Sequence, residues 1–195
     1  MSTPTTQREE KKALRRALRE AKRSYWTEEY RQSVSERICQ QIESFLPFVR
    51  SQCVALYCAL PDEVDLTPIL TAHKQEKQLL IPRVEGDDIN FYAYEPDALV
   101  TSGGYKILEP TALQDEAVDP ADIELILVPG VAFDPHGGRM GRGKGYYDRF
   151  FVRCPHALRV AVTDSQQIVE RIPLDPWDKT MHYVISEERV LEVRD

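Results

Sequence analysis

The chain has 195 residues, 42% of them hydrophobic, with a formal net charge of -7, which is enough for one substantial core and demands no second domain. Residues 1–50 carry 11 basic and 7 acidic side chains, so the rest of the chain holds the acidic excess. This distribution argues against a general nucleic-acid or anionic-membrane binder and favours a small anionic ligand captured at a focused positive spot.

Residues 1–7 are polar and are expected to be disordered, with no apolar stretch behind them resembling a signal peptide. The first predicted element is a basic amphipathic helix from Glu9 to about Ser24, with Ala13, Leu14, Ala17, Leu18 and Ala21 as its apolar stripe. A second helix starts near Thr27 and repeats Tyr30, Val34, Ile38, Ile42 and Phe45 on one face until Pro47. The two are expected to pack as an N-terminal helical hairpin. Short apolar runs follow: Val54–Leu60, Gln78–Val84, Ile89–Tyr94, Glu124–Val128, Leu158–Thr163 and His182–Ser186. Several are nearly unbroken, as buried parallel strands are. Thr67-Pro68 opens a helix running to about Lys77, and another follows Gly143 and carries Tyr146, Tyr147, Phe150 and Phe151. The segment Glu109–Glu124 reads as an acidic connection. Alternating strands and helices predict a single layered α/β domain over residues 1–195.

Cys39, Cys53, Cys58 and Cys154 form no CxxC pair, and Cys53 and Cys58 lie in or beside an apolar run. They are expected as core thiols of a cytoplasmic protein.

Six of the nine glycines fall between Gly130 and Gly145, so flexibility is concentrated after the Glu124–Val128 strand. There Gly137 to Asp148 interleaves glycines with Arg139, Arg142 and Lys144. Bare glycine backbone lets main-chain N–H groups approach an anion, and the cations supply charge-assisted bonds to phosphate oxygens. A P-loop template fits Gly138, four residues, then Gly143-Lys144, but Gly145 stands where the template needs a hydroxyl for magnesium. Asp148 is the nearest carboxylate that could serve instead. The bland alternative, a solvated Gly-rich surface loop, accounts poorly for this density. Beyond a strand's carboxyl end is also where open α/β sheets bind ligands.

Leu127 to Asp134, leading into Gly141-Arg142-Gly143-Lys144-Gly145-Tyr146-Tyr147-Asp148, resembles the 5-formyltetrahydrofolate cyclo-ligase family, also called methenyltetrahydrofolate synthetase. The resemblance runs nearly end to end, through Lys11 and Arg15, Leu60-Pro61-Asp62-Glu63-Val64, Ile81-Pro82-Arg83 and Tyr105 to Pro110. It implies a Rossmann-like sandwich with a mixed, mostly parallel sheet, and an ATP- and magnesium-dependent cyclisation of 5-formyltetrahydrofolate to 5,10-methenyltetrahydrofolate. By position it implies ATP contacts at Lys11, Arg15, Arg139, Gly141, Arg142, Gly143, Lys144, Gly145, Tyr146 and Tyr147, with Arg142 and Lys144 catalytic. It implies folate contacts at Cys58, Glu63, Tyr105 and Tyr146, and magnesium at Asp148. His182 aligns with a second metal aspartate of some members. Imidazole is a poor magnesium ligand, which leaves Asp178 as a weak substitute. Small-molecule partners and a monomer are expected. The rival readings are a noncatalytic paralogue that binds RNA or a phosphorylated partner through the Arg/Gly loop, and a small-metabolite kinase.

Overall fold

In the computed structural model, which describes residues 4–102, 107–113 and 116–194, a seven-stranded sheet carries the fold. Its strands are β1 (Cys53–Ala55), β2 (Gln78–Glu85), β3 (Asp88–Ala93), β6 (Leu125–Val128), β9 (Leu158–Val162), β10 (Tyr183–Ile185) and β11 (Val190–Glu192), in the order β11-β10-β9-β6-β1-β2-β3. Two small hairpins stand apart, β4 (Leu99–Ser102) with β5 (Ile107–Pro110), and β7 (Ala132–Phe133) with β8 (Arg139–Met140). Neighbours from β2 through β10 run parallel, and the flanking strands β3 and β11 pair antiparallel. Taken alone, the parallel strands have the doubly wound order 2-1-3-4-5. The chain reverses its direction of travel across the sheet between β1 and β6.

Alternation builds the two faces. Val54, Leu79, Ile81, Leu125, Leu127, Val160 and Val162 point to one side. There they meet Val34, Ile38 and Ile42 of α2 (Glu28–Ser44), Phe48 of α3 (Leu46–Arg50), and Ile69 and Leu70 of α4 (Thr67–His73). Cys53, Ala55, Leu80, Ile126, Val128 and Ala161 point to the other side, against Phe150 and Phe151 of α5 (Tyr146–Arg153). Thr27 caps α2 by accepting from the Tyr30 amide at 3.1 Å. The four cysteines are free thiols, three buried and Cys58 half-buried. Among the described residues no helix is long and apolar enough to cross a membrane.

The N-terminal part departs from expectation. Helix α1 spans Pro4–Tyr25, beginning earlier than the Glu9 start expected from its apolar stripe. Among the described residues it shows no extensive packing against α2. Leu14 and Leu18 rest on a separate patch of Val131, Ala132, Met140 and Ile172, while α2 covers the main core. Ala13, Ala17 and Ala21, read as part of the packing stripe, are exposed. The inward face instead runs through Lys11, Leu14, Arg15, Leu18 and Lys22. The Val54–Leu60 run pairs as a strand only over Cys53–Ala55, and α4 stops at His73.

Candidate active site

The carboxyl ends of β1 and β6 open the crevice where ligands bind in sheets of this order. After β1 the chain turns so that Glu63 places its carboxylate back on the Leu60 amide, 3.0 Å away. Arg31 of α2 holds the Glu63 carbonyl at 3.1 Å. This fixes a nearly buried acid at the crevice edge, with half-exposed Asp62 beside it.

After β6, buried Asp134 ties off the β7–β8 hairpin by accepting from the amides of His136 and Gly138, each at 2.8 Å, and from Ile172 at 2.7 Å. The Gly141–Gly145 loop follows. Gly143 and Gly145 sit at φ +102° and +71°, a region that strains any other residue, and Gly145 caps α5. Arg142 reaches across the crevice. Its Nη2 donates to Asp62 at 2.6 Å and to Glu63 at 2.9 Å, and its Nε donates to Glu63 at 3.1 Å. Burial works against the Arg142 cation, but Glu63 and Asp62 more than offset it and raise its pKa. Lys144 is exposed, and its ammonium has no partner among the described residues.

Helix α1 lies along this rim. Arg15 donates through Nε to the Gly141 carbonyl at 2.9 Å. One turn earlier, Lys11 donates to both Asp175 and Asp178, which lift its pKa above the ordinary lysine value although burial opposes them. Lys22 is buried with Asp164 at 3.2 Å and Gln167 at 2.5 Å, its ammonium 3.6 Å from the Trp26 ring centroid. Here burial wins, lowering Lys22 and raising Asp164.

Arg139 turns inward, its side chain only 5% exposed. It donates to the Pro129 carbonyl at 3.1 Å and to Asp148 at 3.0 Å, and lies over the Tyr147 ring. The aromatic exit of the loop divides in the same way. Tyr146 faces Arg149, whereas Tyr147, also half-buried, packs against Phe151 with its phenol pKa raised by desolvation and then by the Glu63 charge. Cys58 packs at the edge of the main core, and burial pushes its thiol up to about 12, so it stands as a neutral small side chain. Tyr105 lies outside the described residues.

Among the described residues, the second oxygen of Asp148 accepts only from the Lys179 amide, at 3.3 Å. This hard carboxylate oxygen, three residues beyond Gly145, is of the type that would suit magnesium. Among the described residues no group of three metal-ligating side chains stands ready as a full cage. Asp178 is committed to Lys11, and His182 accepts from the Arg159 amide at 2.9 Å. Sequence reasoning gave no role to Lys22, Asp164, Gln167, Asp175 or to the second acid Asp62. The acids from Asp164 onward have no local pattern, because their partners lie more than 140 residues away.

A doubly wound sheet with opposed charges gathered at its reversal point places the molecule among the α/β enzymes that work at strand carboxyl ends. The chain belongs to the 5-formyltetrahydrofolate cyclo-ligase family, whose model matches residues 7–187, and it is an enzyme of the ligase class. It is 30% identical to the 5-formyltetrahydrofolate cyclo-ligase of Mus musculus over 192 residues, covering 91% of this chain and 94% of that one. The solved structure of Aquifex aeolicus 5,10-methenyltetrahydrofolate synthetase superposes with a TM-score of 0.84 at 40% identity, over 95% of this chain and 93% of that one. The synthetase from Mycoplasma pneumoniae shares the fold, with a TM-score of 0.71 at 24% identity over 91% of this chain and 98% of that one.

Proposed function

We propose that this chain catalyses the ATP- and magnesium-dependent cyclisation of 5-formyltetrahydrofolate to 5,10-methenyltetrahydrofolate, releasing ADP and phosphate. A formamide oxygen is a poor leaving group, so the reaction needs it activated. The γ-phosphoryl group of ATP passes to the formyl oxygen, breaking its bond to the β-phosphate oxygen, and ADP leaves. N10 then attacks the formyl carbon and loses its proton. The phosphorylated oxygen departs as phosphate, and the ring closes as the methenyl cation.

Phosphoryl transfer asks a protein for position and for compensation of moving negative charge, with no covalent nucleophile. Lys144 and the main-chain amides of Gly141 to Gly145 hold the triphosphate, with Arg15 supporting the loop through Gly141. Arg142 serves the migrating phosphoryl group from one side while Glu63, on its other side, faces the pterin. Tyr146 offers a planar face to the folate ring system. Asp148 is the carboxylate that would hold magnesium, which would supply positive charge against the triphosphate. Arg139 and Lys11 act from behind this surface. Arg139 steadies Asp148, and Lys11 fixes α1 on Asp175 and Asp178.

The observation that carries the reading is the contact of Arg142 with Glu63 across the crevice, because it joins the phosphate loop to the acid of the folate side at one point. The protein incubated with 5-formyltetrahydrofolate, ATP and magnesium should develop the ultraviolet band of the methenyl product, and should not without ATP. Absence of an ATP-dependent signal would reject the reading. Such silence, together with RNA or phosphopeptide binding, would favour a noncatalytic paralogue.

A further inference from the structure

Arg142 lies between two acids of different character. Glu63 is 9% exposed, and its other oxygen is pinned on the Leu60 amide, so it cannot follow the arginine. Asp62 has a half-exposed side chain, and its carboxylate has no hydrogen-bond partner other than Arg142 among the described residues. Beyond Arg142 the chain passes through Gly143 at φ +102°, where the space a side chain would fill is open. On the other side the Gly141 carbonyl is anchored by Arg15. Arg142 thus sits between an anchored Gly141 and an uncrowded Gly143.

A cleft of about 390 Å³ opens beside this pair, lined by Arg19, Lys22 and Arg23 of α1 together with Asp62 and Arg142. Lys22 already feels the charges of Asp62 and Glu63. An Asp62 carboxylate that lost Arg142 would thus still face cations, and releasing it strands no charge.

We propose that Asp62 is a positioning residue that acts through Arg142. In the free enzyme it holds the guanidinium against the folate-side acids, and the terminal phosphate of the nucleotide must draw Arg142 away from it. Asp62 then turns to the α1 cations while Glu63 stays in place. This rests on the phosphate-site reading above, and it makes Asp62 a brake on nucleotide affinity in a protein whose other loop residues attract phosphate.

The test is calorimetric titration of the full chain with a non-hydrolysable ATP analogue and magnesium, in the parent and in Asp62→Asn, Arg142→Ala and the double variant. An exposed ion pair of this kind is worth at most about 1 kcal/mol, so Asp62→Asn should bind the analogue about two- to fivefold tighter at low salt. High salt should shrink that gain, and it should vanish in the Arg142→Ala background. In turnover, KM for ATP should fall by the same factor with KM for the folate unchanged, a split that mere loss of structure would not produce. Equal or weaker binding by Asp62→Asn, or a gain that survives without Arg142, overturns the proposal. If the parent binds the analogue and turns over normally, that failure belongs to Asp62 alone. If the parent binds no analogue, the phosphate-site reading falls and takes this inference with it.

Discussion

Arg142 and Lys144 stand two residues apart in one loop and meet opposite surroundings. The first spends its charge on Asp62 and Glu63, and the second points into solvent unpaired. A cation held by acids is aimed, and one without a partner is free to follow a phosphate oxygen as it moves. Lys144→Ala should therefore lower kcat by about 10²–10³, as removal of a single donor to a developing charge does elsewhere. KM for the folate should barely move, which steady-state kinetics with the two substrates varied separately will show. Unchanged turnover would return Lys144 to the solvated surface. Arg139 carries the opposite lesson. It lies in the same Gly- and Arg-rich run, but its side chain is buried and paired with Asp148, because the β7–β8 hairpin turns it toward α5. Residue type and spacing mark the segment; inside or outside is decided by the hairpin.

Helix α1 shows how far a pattern reaches at the scale of an element. Its basic, helical character is plain in the sequence, but its rotation is not. Full burial of a leucine is worth about 1.5–3 kcal/mol, and Leu14 and Leu18 are only partly buried, so apolar contact alone does not decide which face turns inward. The acids Asp164, Asp175 and Asp178 do, by drawing in Lys22 and Lys11 and leaving the alanines outside. No window of local sequence contains both partners. The Lys22–Asp164 pair is expected to behave as buried ion pairs do, costly to break from one side. Lys22→Met leaves a fully buried carboxylate uncompensated and should destabilise the protein by about 3–5 kcal/mol in urea unfolding. The double variant Lys22→Met/Asp164→Asn should recover most of that loss, since asparagine still accepts from the Gln166 amide that Asp164 now holds at 3.1 Å. A single variant within about 0.5 kcal/mol of the parent would mean that α1 is docked by other contacts.

The architecture of the whole molecule was legible in its parts rather than in their arrangement. Runs such as Gln78–Val84, Glu124–Val128 and Leu158–Thr163 are apolar on both faces because helices cover both sides of the sheet, and each is a strand. Strand order leaves no such trace, so the neighbouring of β1 and β6, which brings Glu63 to Arg142 across 79 positions, came only with the fold. The apolar runs pointed to parallel strands, and chain order put the Gly-rich loop beyond the carboxyl end of one of them; the family resemblance added the mixed sheet of a Rossmann-like sandwich. It did not carry the acids that hold α1 in place or the second carboxylate on Arg142, which emerge from contacts between distant segments. The central claim is that this reversal of the sheet brings a triphosphate and a folate together at the Gly141–Gly145 loop. A crystal structure with a non-hydrolysable ATP analogue, magnesium and 5-formyltetrahydrofolate tests it most directly. The expected density has the terminal phosphate against Lys144 and Arg142, with the formyl oxygen beside it on the Glu63 side. A triphosphate lodged elsewhere, with this loop empty, would contradict it.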